Sequence, residues 1–240
     1  MTSNSFDNGG PSLAERLAAI DGRIADAAHA AGRAPEHITR IVVTKFHPAS
    51  LVRELAALGV RDVGENRQQE LSAKRAELAG EPALEAVRWH FIGQAQTNKA
   101  RQIRAAANAV HSLDRARLAD ALDAADPGPA PVLDVLLQVN LTDDLGRGGV
   151  APDDLEALAA HVAAASTLRL RGIMAVAPLD EEPRRAFARV GELSTRLRTV
   201  VADADWISTG MTADFEDAIA EGATHLRIGS AITGNRPPHG

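Results

Sequence analysis

The sequence predicts an α/β protein that folds as a single (β/α)8 TIM barrel with an extra N-terminal helix. Short apolar runs rich in β-branched residues alternate with Ala-, Leu-, Glu- and Arg-rich segments of helical periodicity. This alternation is typical of parallel strands joined by right-handed crossovers. Eight such strands fit into 240 residues, close to the ~250 residues usual for this barrel, and favour a closed barrel over an open sheet.

The predicted strands are short, and the first seven are each followed by a helical segment. They span residues 40–46, 61–66, 88–93, 108–113, 132–141, 168–177, 204–210 and 225–233. The segment after the first strand shows the helical pattern clearly. It repeats Leu51, Leu55 and Leu58 on one face and ends at Gly59, a residue type that often follows a helix C-terminus.

A helix is also predicted before the first strand. Ser12 and Glu15 have the spacing of a capping box, in which each side chain binds the backbone amide of the other residue. Leu17, Ile20 and Ile24 recur on one face of the segment that follows. We place a single domain at residues 12–236 and tails at residues 1–11 and 237–240.

Composition excludes several classes of protein. The net charge of −6 argues against a basic face for nucleic acid or anionic lipid. The chain has no cysteine, so disulfides, thiolate catalysis and cysteine-bound zinc are excluded. No apolar run approaches the ~20 residues of a membrane span. We expect a cytoplasmic protein without nucleic-acid, membrane or metal partners, and we assign it as a monomer.

Lys45 lies at the end of the first predicted strand, where the chemistry of a parallel barrel is found. One interpretation is a lysine whose stem packs on apolar surface while its ammonium group reaches solvent. The other is a Schiff-base lysine, which must be neutral to attack an aldehyde. The preceding apolar strand and a cation such as Arg227 would lower its pKa and favour the neutral amine.

Two later strand ends indicate a phosphate site. In barrels of this type phosphate often binds at the loops after strands seven and eight. Ser208, Thr209 and Gly210 end strand seven, and Gly229 and Ser230 lie in strand eight. Small residues let backbone amides approach an anion, and hydroxyls add donors. The acids of the helix after strand seven would repel a phosphate, so we expect them to turn outward.

Two further features have both a structural and a functional interpretation. The second predicted strand breaks at Gly64, Glu65 and Asn66, either as an ordinary turn or as a loop that binds a ligand. His90 lies inside the third strand, where a histidine is more often packed and hydrogen-bonded than catalytic. A lysine together with a phosphate site indicates a ligand that has an aldehyde and a phosphate. Pyridoxal 5′-phosphate (PLP) meets both requirements, and so does a phosphosugar.

Several segments resemble the signatures of the pyridoxal-phosphate-binding homeostasis protein family. The similarity covers roughly residues 12–236, and the last segment is the most specific because it is long. The family's fold resembles the N-terminal barrel domain of alanine racemase. The segments are, in order, VVTKFHP, VGENRQQEL, WHFIGQAQTNK, VHSLDR, RGIMAVAP and STGMTADFEDAIAEGATHLRIGSAITG.

The resemblance implies a set of PLP-binding residues. Lys45 would form the Schiff base, and Arg227 would approach the pyridine nitrogen. The remaining implied residues hold the phosphate, support its loop or line the cavity. They are Ser208, Gly229 and Ser230 for the phosphate, Thr209 and Gly210 for the loop, and Asn66 and Met174 for the cavity.

The resemblance and the composition together favour a carrier over an enzyme. An arginine facing the ring nitrogen disfavours its protonation and weakens the electron sink that carbanion chemistry needs. Racemases with such an arginine nevertheless work, but they need bases on both faces of the substrate, and the racemase fold takes one tyrosine from a second domain. This chain has no tyrosine, and His90, His111 and His225 are the remaining histidine candidates.

We therefore predict a PLP homeostasis protein that hands the cofactor to apo PLP-dependent enzymes and has no robust catalysis. An amino-acid racemase is the alternative, and a Schiff-base lyase acting on a phosphosugar comes third.

Overall fold

The computed structural model describes residues 10–125 and 132–234, where parallel strands form a closed barrel surrounded by helices. Eight strands in this part of the chain follow one another around the barrel in sequence order, and β1 pairs with β8 to close it. The predicted (β/α)8 barrel is confirmed. The strands are β1 Thr39–Val43, β2 Asp62–Glu65, β3 Arg88–Phe91, β4 Ala109–Leu113, β5 Leu133–Gln138, β6 Leu168–Met174, β7 Trp206–Ser208 and β8 His225–Ile228.

Helices follow each strand, and the extra N-terminal helix precedes β1 as predicted. None of the helices within residues 10–125 and 132–234 is long and apolar enough to cross a lipid bilayer. Residues 1–9, 126–131 and 235–240 lie outside the described part, and with them nearly all of both predicted tails. The helices are α1 Leu13–Ala30, α2 Ala49–Ala57, α3 Gln68–Glu77, α4 Ala100–Ala106, α5 Ala116–Ala124, α6 Leu155–Ala163, α7 Pro183–Val200, α8 Phe215–Ala220 and α9 Ser230–Thr233.

The start of α1 has the capping box that the sequence predicts. The Ser12 amide donates to Glu15 Oε2 at 2.7 Å, and the Glu15 amide donates to Ser12 Oγ at 3.2 Å. Two backbone amides that lack partners within the helix are satisfied in this way. Leu17, Ile20 and Ile24 are buried, so the predicted apolar face packs against the barrel.

The eighth strand is shorter than predicted. The sequence indicates a strand over residues 225–233, but β8 ends at Ile228 and residues 230–233 form the one-turn helix α9. Gly229, with φ −111° and ψ −101°, leaves the extended conformation and ends the strand. The Ile232 and Thr233 amides then donate to the Gly229 carbonyl. Ser230 therefore begins a helix, which the apolar pattern alone did not reveal.

The interior of the barrel contains polar groups among apolar ones. In β3, Trp89 and Phe91 belong to the apolar core, whereas His90 between them hydrogen-bonds His111 of β4. Successive side chains of a strand point to opposite faces of the sheet, so His90 faces away from its two aromatic neighbours. Charged and polar side chains thus occupy part of the space that strands of such barrels usually fill with apolar groups.

Candidate functional site

A cavity of about 460 Å³ opens at the face where the strands end. Five of the residues singled out from the sequence line it: Lys45, Asn66, Arg227, Gly229 and Ser230. All strands of a parallel barrel end on one face, so residues far apart in sequence meet there. The arrangement places an amine, an amide, a guanidinium group and a glycine-containing turn around one space.

Lys45 is the lysine that the structure places on this cavity. The chain has three lysines, at positions 45, 74 and 99. The Lys74 ammonium group is buried and donates hydrogen bonds to Glu65 and to the Thr44 carbonyl. Lys99 lines a neighbouring cavity of about 520 Å³. Lys45 is half-buried, with its Nζ 6.0 Å from the centre of the Phe46 ring. A carbonyl compound in the cavity of about 460 Å³ therefore meets the Lys45 amine.

The backbone immediately after Lys45 adopts an uncommon conformation. Phe46 has φ 68°, and within the described residues it is the non-glycine residue with positive φ. This conformation costs a bulky side chain free energy, and such strain is often found at functional sites. The Phe46 amide donates to Glu70 Oε2 at 2.8 Å, and Glu70 lies in the first turn of α3. Glu70, which sequence reasoning missed, therefore helps to hold the turn after Lys45.

A buried ion pair supports the other side of Lys45. The Lys74 ammonium group donates to Glu65 Oε1 at 2.5 Å and to the Thr44 carbonyl at 2.8 Å. Thr44 Oγ1 donates to the same Glu65 oxygen at 2.6 Å. Burial raises the pKa of Glu65, while the charge and hydrogen bonds of Lys74 oppose the rise. The pair fixes the end of β1 to β2 and α3. The sequence indicated this ion pair through Glu65, an acid at a strand end, because a buried carboxylate needs a cation beside it.

Arg227 reaches the cavity from inside the barrel. Its guanidinium group donates to the Ser208 carbonyl at 2.5 Å, to Ser208 Oγ at 2.8 Å and to the Ala175 carbonyl at 2.9 Å. Arg227 is 5% exposed. Burial lowers the pKa of Arg227 to about 10, so the group still carries its positive charge at neutral pH. The structure thus presents a fixed cation to the cavity.

The other residues singled out from the sequence lie behind the cavity wall. Ser208 and Thr209 are buried, and the Ser208 hydroxyl group is engaged by Arg227 and His111. Gly210 has φ 86°, and a Cβ atom there would lie 2.7 Å from the Ala218 side chain. Met174 is 3% exposed at the end of β6, beside Ser208. Phosphate contact by Ser208, Thr209 or Gly210 and cavity contact by Met174 stay predictions.

Glu216 and Asp214, two of the acids near the start of α8, have partners. Glu216 pairs with Arg23 of α1 at 2.6 Å, so its charge turns away from the cavity as expected. Asp214 instead accepts a hydrogen bond of 2.6 Å from the Met211 amide and shapes the loop after β7. Residues 211–213 of this loop line the cavity, and they were not singled out from the sequence.

The three strand histidines do not line the cavity. His90, His111 and His225 are buried inside the barrel. Burial lowers the pKa of each, that of His225 to about 3. His47 does line the cavity, and sequence reasoning missed it because it follows the strand within a turn. Burial and the Lys74 charge lower the pKa of His47, so its ring is neutral at pH 7.

A substitution at Gly93 tests how closely the backbone of Asn66 approaches this glycine. A Cβ atom at Gly93 would lie 1.9 Å from the Asn66 carbonyl oxygen, far inside contact distance. We expect Gly93→Ala to lower the free energy of unfolding by about 1–3 kcal/mol, as overpacking usually does. Urea denaturation measures the loss.

Gly22→Ala in α1 is the matched control, because a Cβ atom there has no neighbour within 4 Å. This change should raise stability by up to about 1 kcal/mol, since alanine favours helices over glycine. Equal stability of the two variants would contradict the close approach at Gly93.

Comparison with known proteins identifies relatives over nearly the whole chain. A family model described as alanine racemase, N-terminal domain, matches residues 16–237. A pyridoxal phosphate homeostasis protein from Pseudomonas aeruginosa is 45% identical over 227 residues, which cover 93% of this chain and 96% of the relative. A protein of the same name from Escherichia coli K12 is 38% identical, with 93% and 97% covered.

Solved structures agree with this result. PipY of Synechococcus elongatus, solved with PLP bound, has a TM-score of 0.81 and 33% identity, with 93% of this chain and 100% of PipY covered. Alanine racemase from Corynebacterium glutamicum is 16% identical, with a TM-score of 0.67 and 63% of its chain covered, and shares the fold. On the family match and the relatives at 45% and 38% identity, this chain belongs to the alanine racemase N-terminal domain family, among the pyridoxal phosphate homeostasis proteins.

Proposed function

We propose that this protein binds PLP reversibly as a Schiff base on Lys45 and serves in PLP homeostasis. The observation that carries the proposal is the convergence of Lys45, Arg227, Gly229 and Ser230 on one cavity of about 460 Å³. PLP, when bound, supplies an aldehyde that condenses with amines. The names of the relatives and the PLP-bound PipY support the choice of PLP over a phosphosugar.

The residues present fit the functional groups of PLP. Lys45 supplies the amine for the aldehyde, and Gly229 and Ser230 offer a small-residue turn and a hydroxyl group to the phosphate. Asn66 Oδ1 is buried without a hydrogen-bond partner among the described residues, so it can accept from a ligand hydroxyl group. Ser208, Thr209 and Gly210 would complete the phosphate site, and Met174 would line the cavity.

The charge of Arg227 disfavours carbanion chemistry that needs a protonated pyridine nitrogen. A guanidinium group whose pKa is about 10 donates hydrogen bonds at neutral pH but does not give up a proton. A pyridine nitrogen facing it would stay unprotonated, and the cofactor would be a weak electron sink. We therefore propose a monomeric carrier that releases PLP to apo-enzymes in the cytoplasm.

An amino-acid racemase is the alternative, favoured by the fold it shares with alanine racemase. It would need a second base opposite Lys45, and the sequence has no tyrosine. Among the histidines that the structure describes, His47 lines the cavity. Exchange of the α-proton of alanine or serine in heavy water at enzyme-like rates, lost in His47→Ala, would support the racemase over the carrier.

Borohydride reduction followed by peptide mapping tests the proposal. Protein saturated with PLP should absorb near the violet edge of the visible range and lose this band on reduction. The chain has three lysines, so the reduced adduct must fall on Lys45, Lys74, Lys99 or the N-terminal amine. We expect it on Lys45. An adduct found only on Lys74, Lys99 or the N-terminal amine, or no adduct, would overturn the proposal. Transfer of PLP to an apo-enzyme then measures carriage.

Arg227→Glu should weaken PLP binding about tenfold or more and shift the absorption maximum. It replaces a buried donor that faces the cavity with a negative charge, and charge-assisted hydrogen bonds contribute about 1.5–3 kcal/mol. Spectrophotometric titration with PLP measures both effects.

Arg227→Gln removes the charge with less disturbance and should show a weaker effect of the same kind. Arg101→Glu, on the exposed surface of α4, is the control for net charge. An unchanged spectrum in folded Arg227→Gln would mean that Arg227 does not contact the ring.

A further inference from the structure

A continuous chain of side-chain hydrogen bonds crosses the interior of the barrel. Asp62 Oδ1 lies 2.9 Å from His90 Nε2, and His90 Nδ1 lies 2.9 Å from His111 Nε2. His111 Nδ1 lies 2.8 Å from Ser208 Oγ, which accepts from Arg227 at 2.8 Å. Asp62 opens β2 and so lies at the N-terminal rim, whereas Arg227 lines the cavity at the opposite end. The chain therefore connects the two ends of the barrel.

The ionised carboxylate of Asp62 sets the direction of every bond in this chain. A carboxylate only accepts, so His90 carries its hydrogen on Nε2 and its Nδ1 becomes an acceptor. His111 then carries its hydrogen on Nε2 and accepts at Nδ1 from the Ser208 hydroxyl group. With its hydrogen turned to His111, Ser208 Oγ is free to accept from Arg227. Each member donates towards Asp62.

These bond directions require neutral rings at His90 and His111 and an ionised carboxylate at Asp62, and the surroundings of the three residues favour those states. Burial lowers the pKa of His90, and burial with neighbouring positive charges lowers that of His111 well below its usual value, so both rings are neutral. Burial alone would raise the pKa of Asp62, but the hydrogen bond from His90 and the positive charge of Arg88 bring it below its usual value. Asp62 is therefore ionised at neutral pH.

We propose that Asp62 is a positioning residue for Arg227, acting across the barrel through His90, His111 and Ser208. Without the carboxylate, either tautomer of His90 is allowed, and an Nδ1–H tautomer forces His111 to donate to Ser208. The Ser208 hydroxyl hydrogen then loses its acceptor and must turn, which disturbs the bond from Arg227. The effect on the cofactor rests on the proposed function, whereas the hydrogen-bond chain does not.

Nitrogen-15 NMR of the imidazole rings, in protein without PLP, tests the chain directly. We expect both His90 and His111 to be neutral Nε2–H tautomers at pH 7, assigned through single histidine substitutions. An imidazolium or an Nδ1–H tautomer at either position would overturn the proposal. This measurement needs neither PLP nor a variant at Asp62, so it remains decisive if such a variant fails to fold.

The second arm compares Asp62→Asn with Asp120→Asn in PLP titrations. Asp120 forms a similar pair with His161, at 2.6 Å, on the outer surface of the barrel. We expect Asp62→Asn to weaken PLP binding about threefold or more, shift the absorption maximum and change the His111 signals. Asp120→Asn should leave all three unchanged.

Failure of the positioning role can be distinguished from failure of the proposed function. If wild-type protein carries PLP on Lys45 but folded Asp62→Asn matches it in affinity and spectrum, the positioning role is wrong. If wild-type protein gives no adduct on Lys45, the proposed function fails, and the NMR result alone decides whether the chain exists.

Discussion

Lys45→Ala should abolish the covalent attachment of PLP and its absorption near the violet edge of the visible range. The variant removes the lysine amine that lines the cavity of about 460 Å³. Lys74 cannot replace it without leaving Glu65 and the Thr44 carbonyl, because its ammonium group is bound to both. Borohydride reduction and mass spectrometry of the intact chain measure the attachment, with an expected loss of at least tenfold.

Lys99→Ala is the matched control for Lys45→Ala. Lys99 lines the neighbouring cavity of about 520 Å³, so its removal leaves the amine of Lys45 in place. PLP should attach to Lys99→Ala as it does to the wild-type protein. A reduced adduct of equal yield in Lys45→Ala would show that another amine carries the cofactor, and the Schiff-base proposal would be wrong.

Lys74→Met should have the largest effect on stability, lowering the free energy of unfolding by about 3–5 kcal/mol. Glu65 is completely buried, and its ion pair with Lys74 is its source of opposite charge at hydrogen-bond distance. Removing the lysine leaves a carboxylate that must stay unpaired or take up a proton. It also removes the donor to the Thr44 carbonyl, next to Lys45. Chemical denaturation at pH 7 measures the loss.

Two controls distinguish the effect of this buried ion pair from that of an exposed ion pair. Adding Glu65→Gln to Lys74→Met removes the unpaired charge, so the double variant should recover much of the loss. Arg53→Met breaks exposed ion pairs with Glu77 and Glu81 and should cost less than about 1 kcal/mol. If Lys74→Met costs no more than Arg53→Met, the buried pair does not stabilise the end of β1.

Local patterns predicted the elements of the fold because they depend on short stretches of chain. The capping box of Ser12 and Glu15 and the apolar face of α1 can be seen within a few residues. The alternation of strands and helices predicted the barrel, since parallel strands need such crossovers. The predicted end of β8 was wrong because residues 229–233 contain no charge or proline that would mark the end of a strand, and only the backbone at Gly229 ends it.

The residues of the cavity were predictable where strand ends carry unusual groups. Lys45, Asn66 and Arg227 stand out because an apolar strand rarely contains or ends in such side chains. Glu70 and His47 carry no such signal, since polar residues are ordinary in helices and turns. Their importance follows from the contact of Glu70 with the Phe46 amide and from the place of His47 on the cavity wall.

By itself, the sequence determined the order of strands and helices, the lysine at the end of β1 and the resemblance to PLP homeostasis proteins. Tertiary structure alone decided that Lys74 forms a buried ion pair with Glu65. It also decided that Ser208, behind the cavity wall, accepts a hydrogen bond from Arg227. It also decided that Asp62 connects to Arg227 through His90, His111 and Ser208. The physical reason is that periodicity records which face of an element is buried, whereas hydrogen-bond partners depend on distances between strands that only closure of the barrel sets.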